Sequence, residues 1–161
     1  MIRPASHDDA QRITDIYNYY VLNSTITFEE TAVSAMEMSA RLQAIESRGL
    51  PWLVSEEDGG VMGFAYASTW KARHAYRFTV EVTIYLAHDA ISSGRGSDLY
   101  KSLFNKLRAL PVHAAVACIA LPNLHSVALH EKFGMKKVAH FNEVGFKFDR
   151  WLDVGYWQVN L

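Results

Sequence analysis

Residues 79–108 constrain the fold most, because they read as a strand that runs through a short glycine loop directly into a helix. Thr79 to Leu86 (TVEVTIYL) alternates β-branched and polar residues as a strand does, and a helix follows from about Gly96 to Arg108. Between them lies Ser92-Ser93-Gly94-Arg95-Gly96-Ser97. The first turn of a helix has N–H groups without an intrahelical partner, and the helix dipole adds positive potential, so such a junction suits phosphate. Its glycines let the backbone approach a ligand closely. Gly-x-Gly at a strand end is also an ordinary turn. The loop lacks both the Gly-Lys-Ser/Thr of a P-loop and the third glycine of a dinucleotide fingerprint. What is left is a plain turn, or a cradle for a nucleotide with a pyrophosphate and a thioester arm.

Around this unit the elements alternate irregularly. Ile2 to Ala5 reads as a short strand, and Ser6 caps a helix from about His7 to Leu22, with Ala10, Ile13, Ile16, Tyr17 and Tyr20 near helical spacing. A second helix spans about Ser34 to Ser47 and stops at Gly49. Pro51 to Glu56 and Val61 to Ser68, joined through Glu-Asp-Gly-Gly, form a hairpin. The chain closes with a strand at His113 to Ile119, a helix at Leu124 to Phe133, and strands at Lys136 to Lys147 and Trp151 to Leu161. This mixed α/β order predicts a largely antiparallel sheet with helices on both faces rather than a doubly wound parallel one. With no repeat, low-complexity tract or linker, residues 1–161 are expected to form one domain, long enough to bury a core without staples.

A formal charge of -1 without a Lys/Arg run argues against nucleic acid and against an anionic membrane as partners. The start, MIRPASHDDA, lacks a secretory signal, and no apolar stretch reaches transmembrane length, so a cytoplasmic protein is expected. The single cysteine, Cys118 in VHAAVACIAL, fits a reducing compartment and reads as a buried small hydrophobe. The seven histidines show no metal-ligand spacing, and no metal is expected.

Three placements carry chemistry. Glu81 lies among apolar and β-branched strand neighbours, where a carboxylate is either functional or ion-paired, for instance to Lys71 or Arg73. Lys71 and Arg73, two residues apart and on one side of an extended chain, are flanked by the aromatic Trp70 and Tyr76; paired cations there suit a carboxylate or phosphinate, or are solvated surface. Asn123, Ser126, Val127 and His130 share one helix face that can line a channel. His130 is a proton donor in reach of neutral pH, or a half-exposed helix histidine. His125 and His140 read as surface residues.

The Gly94/Gly96 loop resembles that of the GNAT superfamily, which reads Gln/Arg-x-x-Gly-x-Gly/Ala after a central strand. Further matches are Pro51-Trp52-Leu53-Val54, Trp70-Lys71-Ala72-Arg73, Ala75-Tyr76, Glu81, Leu121-Pro122-Asn123, His130-Glu131 and Asp153 to Gln158. Together these are similar to phosphinothricin N-acetyltransferases and methionine sulfoximine/methionine sulfone acetyltransferases. The resemblance implies a GNAT fold and transfer of acetyl from acetyl-CoA to the α-amino group of such an amino acid, by direct attack in a ternary complex. It makes Glu81 the base and His130 the acid. It puts the N–H groups of Ile84, Tyr85 and Leu86 on the pantetheine arm and thioester, with Asn123 and Ser126 beside them. Ser92, Ser93, Gly94, Arg95, Gly96 and Ser97 would hold the pyrophosphate. Phe28, Lys71, Ala72, Arg73, Tyr76 and Glu81 would bind the acceptor, with Phe28 in a flap; an ordinary core phenylalanine is the other reading. The aromatic tail, from Gly145-Phe146-Lys147 through Trp151 to Gln158, suits a homodimer interface. Ile91 and Ser92 depart from the family's Gln/Arg and Arg, and Arg95 is the candidate to supply the missing charge. Another acceptor amine, or a non-catalytic acyl-CoA-binding module, are the rival functions.

Overall fold

In the structure, a computed structural model that describes residues 1–91 and 94–161, the predicted hairpin joins β2 (Trp52–Glu57) to β3 (Gly60–Thr69). Asp58 and Gly59 both have positive φ, 51° and 78°. A two-residue type I′ turn demands that conformation twice, which is why Asp-Gly stands there. β1 (Ile2–Pro4) flanks β2, and β4 (Thr79–Leu86) flanks β3, all antiparallel.

β5 (Ala114–Leu121) lies parallel to β4, and β7 (Arg150–Asn160) and β6 (Lys136–Lys147) complete the order β1-β2-β3-β4-β5-β7-β6. A parallel pair needs a crossover. α3 (Arg95–Arg108) supplies it. The sheet is thus largely antiparallel, as expected.

Helices cover both faces. α1 (Ala10–Asn23) and α2 (Ala35–Glu46) bury Ile13, Ile16, Tyr17, Leu42 and Ile45 against Trp52, Val54 and Phe64. On the other face α3 buries Leu99, Tyr100, Leu103, Phe104 and Leu107 against Leu53, Ala65, Val80 and Val82, with α4 (Leu124–Lys132) alongside. Each such fully buried side chain contributes about 1.5–3 kcal/mol. Because successive strand residues face opposite cores, Trp52-Leu53-Val54 is apolar throughout. Among the described residues, no helix is long and apolar enough to cross a membrane.

The first helix starts later than His7. His7–Asp9 forms a 3-10 turn before α1, because the Asp9 carboxylate turns back to accept from the Ser6 N–H at 2.7 Å and hydroxyl at 3.1 Å. Arg3 on β1 closes a two-toothed pair on Asp9, at 2.8 and 2.9 Å, and reaches Glu56 on β2 at 2.6 Å. This buried carboxylate ties the helix entry to the sheet edge.

The Arg3 hydrogen bonds lower the Asp9 pKa. Stability from Asp9 is therefore present above the unfolded carboxylate value, about 4, and is lost as pH falls through the lower folded value. Asp9→Ala should cost about 1–3 kcal/mol at pH 7 in urea unfolding. The gap to wild type should shrink at pH 3, and a gap independent of pH would refute the ion-pair account.

Candidate active site

β4 and β5 pair only at Thr79↔Ala114, Val80↔Ala115 and Glu81↔Val116. Both strands continue beyond, β4 with β3 as far as Leu86 and β5 with β7 as far as Leu121. A wedge therefore opens in the middle of the sheet immediately after Glu81. Ladder direction shows which amides it receives. The Ala67 N–H donates to Pro51, on the β2 side, and the Ala87 N–H donates to Met62. Antiparallel pairs alternate, so Thr83 and Tyr85 bond to β3 while Ile84 and Leu86 turn their N–H groups to the wedge. Of the three amides singled out from sequence, that of Tyr85 is thus turned to β3, and Tyr85 reaches the wedge with its side chain.

Two cavities of about 370 and 290 Å³ fill the wedge and share Ile26, Ile84, Tyr85, Asn123 and Ser126, so they form one channel. Its outer part is lined by Gly94, Gly96, Ser97 and Lys132. Gly94, with φ 81°, caps α3 in the left-handed region that favours glycine. A Cβ on Gly96 would meet Leu129 at 3.4 Å and Leu86 at 3.6 Å, so the helix start sits close against β4. Ser92 and Ser93 lie outside the described residues.

Arg95 does not bring its charge to this channel. Its guanidinium pairs with Glu57 and lines a separate cavity with Asp98 and Lys101, because the first turn of α3 points it outward. The cation at the channel is Lys132, whose ammonium donates to Ser97 Oγ at 2.9 Å. Sequence reasoning missed Lys132, since nothing in its own helix signals a partner 35 residues earlier.

The inner part holds Glu81, Tyr66, Thr83, Tyr85, Cys118, Phe28, Tyr100 and His130. Among the described residues no cation lies within ion-pair distance of Glu81, so the alternative reading of a buried pair with Lys71 or Arg73 fails. Burial raises the Glu81 pKa, and the more distant charge of Lys71 opposes that shift. The carboxylate is consequently a stronger base than an exposed glutamate.

His130 is not a half-exposed histidine; it is 3% exposed. Nδ1 lies 2.6 Å from the Ser126 carbonyl, which can only accept, so Nδ1 carries hydrogen and Nε2 accepts from Tyr100 Oη at 2.7 Å. Burial lowers the His130 pKa, and the neutral ring dominates near pH 7. Tyr100, fully buried on α3, was hidden in the sequence by its ordinary place in an apolar helix face. Asn123 caps α4, its Oδ1 accepting from the Ser126 N–H at 3.1 Å.

Three further expectations are changed or qualified. Cys118 is exposed, not buried, because its position on β5 faces the inner cavity beside Glu81. Residues 70–73 bend instead of extending the strand, and a 3-10 turn at His74–Tyr76 follows, so the argument for parallel cations fails. Lys71, Ala72 and Arg73 are exposed, Lys71 stands 5.0 Å over the Trp70 ring, and Trp70 packs edge-on against Tyr76. None of these lines the inner cavity, whereas Phe28 does.

Residues 2–155 match the family profile described as acetyltransferase (GNAT) domain. The chain is 41% identical to the phosphinothricin N-acetyltransferase of Streptomyces viridochromogenes, over 98% of this chain and 85% of that protein. It is 35% identical to the L-methionine sulfoximine/L-methionine sulfone acetyltransferase of Salmonella typhimurium, over 99% and 94%. The crystal structure of a phosphinothricin acetyltransferase from Sinorhizobium meliloti in complex with acetyl-CoA superposes with a TM-score of 0.97 at 38% identity, covering 100% of this chain and 88% of that one.

A 13C-carboxyl titration should place the Glu81 midpoint above the usual carboxylate range, and Lys71→Ala should raise it further. An ordinary or lowered midpoint would remove the reason to treat Glu81 as a base.

Proposed function

This chain belongs to the GNAT acetyltransferase family and is an acetyl-CoA-dependent N-acetyltransferase, and we propose that its acceptors are phosphinothricin, L-methionine sulfoximine and methionine sulfone, attacked at the α-amino group by direct transfer. One observation carries the reading: the wedge channel ends on an unpaired, half-buried carboxylate, Glu81. The names of the relatives direct the choice of acceptor.

The residues fit acetyl-CoA. Gly94 takes the left-handed cap of α3 beside open space, Gly96 lets the helix start close on β4, and Ser97 and Lys132 add polar and charged contacts at the same end. Its pyrophosphate goes at that outer end. The open edge of β4 offers the Ile84 and Leu86 amides to the pantetheine arm and the thioester oxygen, with Asn123 and Ser126 opposite. When bound, acetyl-CoA supplies an activated acyl carbonyl.

An α-ammonium must lose a proton before it can attack, and Glu81, raised in basicity by burial, takes that proton directly or through water. The leaving thiolate needs a proton in turn. At the moment of transfer the His130 ring must be in its minor, protonated form, with Nε2 donating to Tyr100 Oη and the Tyr100 hydrogen free for the sulfur. Lys71, whose charge is felt at Glu81, and Arg73, both exposed in the bend after β3, suit the acceptor's carboxylate or phosphinate, with Ala72 and Tyr76 near them in the chain.

The hairpin of β6 and β7 exposes Val138, Phe141, Val144, Phe146, Phe148 and Trp151. A stripe of this size suits self-association, and a homodimer in a reducing, cytoplasmic compartment is the assembly this reading favours.

Thiol release from acetyl-CoA should appear with the three named acceptors and not with common amino acids or spermidine. Turnover confined to other amines would replace the acceptor assignment; binding without turnover would make the protein an acyl-CoA-binding module. Glu81→Gln should lower kcat by about a hundredfold or more, and His130→Phe by about tenfold, both with folding intact. Lys132→Gln should raise the acetyl-CoA KM and leave the acceptor KM in place. Full kcat in His130→Phe would make the Tyr100–His130 pair purely structural.

A further inference from the structure

Lys147 ends β6 and is 1% exposed. Its ammonium donates to two backbone carbonyls, Thr27 O and Glu29 O, each at 2.8 Å. Burying an ammonium away from a direct carboxylate contact is costly, so a position that needed only filling would hold an apolar side chain. The segment it touches explains the cation. Residues 24–34 form no helix or strand, and buried carbonyls in irregular chain require a donor.

Between the two clasped carbonyls stands Phe28, which lines the inner cavity with Glu81. Its ring lies on Gly145, where a Cβ would come within 2.3 Å of Phe28 Cε2. The side chains of this segment are held elsewhere. Thr27 Oγ1 meets Tyr17 Oη at 2.9 Å, and Glu29 receives Arg41 at 2.6 and 2.9 Å as well as the Tyr17 hydroxyl. Lys147 instead fixes the backbone on either side of Phe28. The outer channel is lined by α3, α4, β4 and Tyr20, and it meets this segment at Ile26, one residue before the clasp, while Thr27, Phe28 and Glu29 do not line it.

We propose that Lys147 is a positioning residue for the acceptor: its clasp on Thr27 and Glu29 holds Phe28 against Gly145 at the inner cavity and so sets acceptor affinity without contributing to acetyl-CoA binding. The inference rests on the inner cavity being the acceptor site. Losing the ammonium leaves two carbonyls without their donor and releases the Phe28 backbone.

Lys147→Met keeps the length and removes the donors, while Gly145→Ala displaces Phe28 and leaves the ammonium alone. Both should raise the KM for phosphinothricin about tenfold or more, with kcat changed by less than about threefold. Calorimetric acetyl-CoA affinity should stay within about twofold of wild type. Amide exchange at residues 26–29 should quicken in Lys147→Met and recover largely in Lys147→Arg. Unchanged KM and exchange in Lys147→Met, or an equal loss of acetyl-CoA affinity, would overturn the proposal. Should Lys147→Met fail to fold, an unchanged acceptor KM in Gly145→Ala would overturn it as well. A wild-type protein silent toward phosphinothricin would refute the acceptor reading instead, and the exchange and acetyl-CoA measurements would still decide whether the clasp exists.

Discussion

Two parallel strands that pair for three residues and then separate determine the rest of this molecule's chemistry. Each keeps its other neighbour, so the sheet opens without coming apart. Backbone groups on the opened edge must find partners, and one is visible already: Tyr20 Oη on α1 donates to the Leu86 carbonyl at 2.6 Å. The amides of Ile84 and Leu86 face the channel. A ligand with a polar, extended arm would satisfy them as a neighbouring strand does, so an interrupted ladder offers a binding site.

Charge placement follows from the same opening. Asp9 and Glu81 are both carboxylates removed from bulk water, yet their affinities for protons shift in opposite directions. Asp9 has a two-toothed arginine and two donors from Ser6, so its charged form is favoured. Glu81 has burial and only a distant lysine, so its charged form is disfavoured. The first arrangement holds a helix to a sheet edge. The second leaves a carboxylate of raised proton affinity at the end of a channel, and the contrast between them is one of partners rather than of residue type.

Those partners also mark the limit of what the sequence disclosed. The Asp-Gly turn, the strand at Thr79–Leu86 and the glycine loop were legible because each is dictated by residues within a few positions of one another. Glu81 stood out as a carboxylate among apolar and β-branched strand neighbours, and His130 by sharing a helix face with Asn123 and Ser126. Tyr100, Lys132 and Lys147 did not, since their partners lie 30, 35 and 118 to 120 residues away and their own neighbours look ordinary. Arg95 shows the converse. Its place in the loop suggested a phosphate contact, whereas the turn it occupies directs the side chain to Glu57. Cys118 was misjudged for a related reason: an apolar run tells that a strand is central but not that one of its faces lines a cavity.

The end of β6 shows how one strand serves two surfaces. Strand side chains alternate, and here Gly145 and Lys147 are buried while Val144, Phe146 and Phe148 are exposed. The inward pair holds the segment that carries Phe28; the outward set is the apolar stripe suited to a second copy. Covering that stripe would restrain the very backbone from which Lys147 reaches the Thr27 and Glu29 carbonyls. The two-residue period of one strand thus puts the clasp and the exposed stripe on a single backbone.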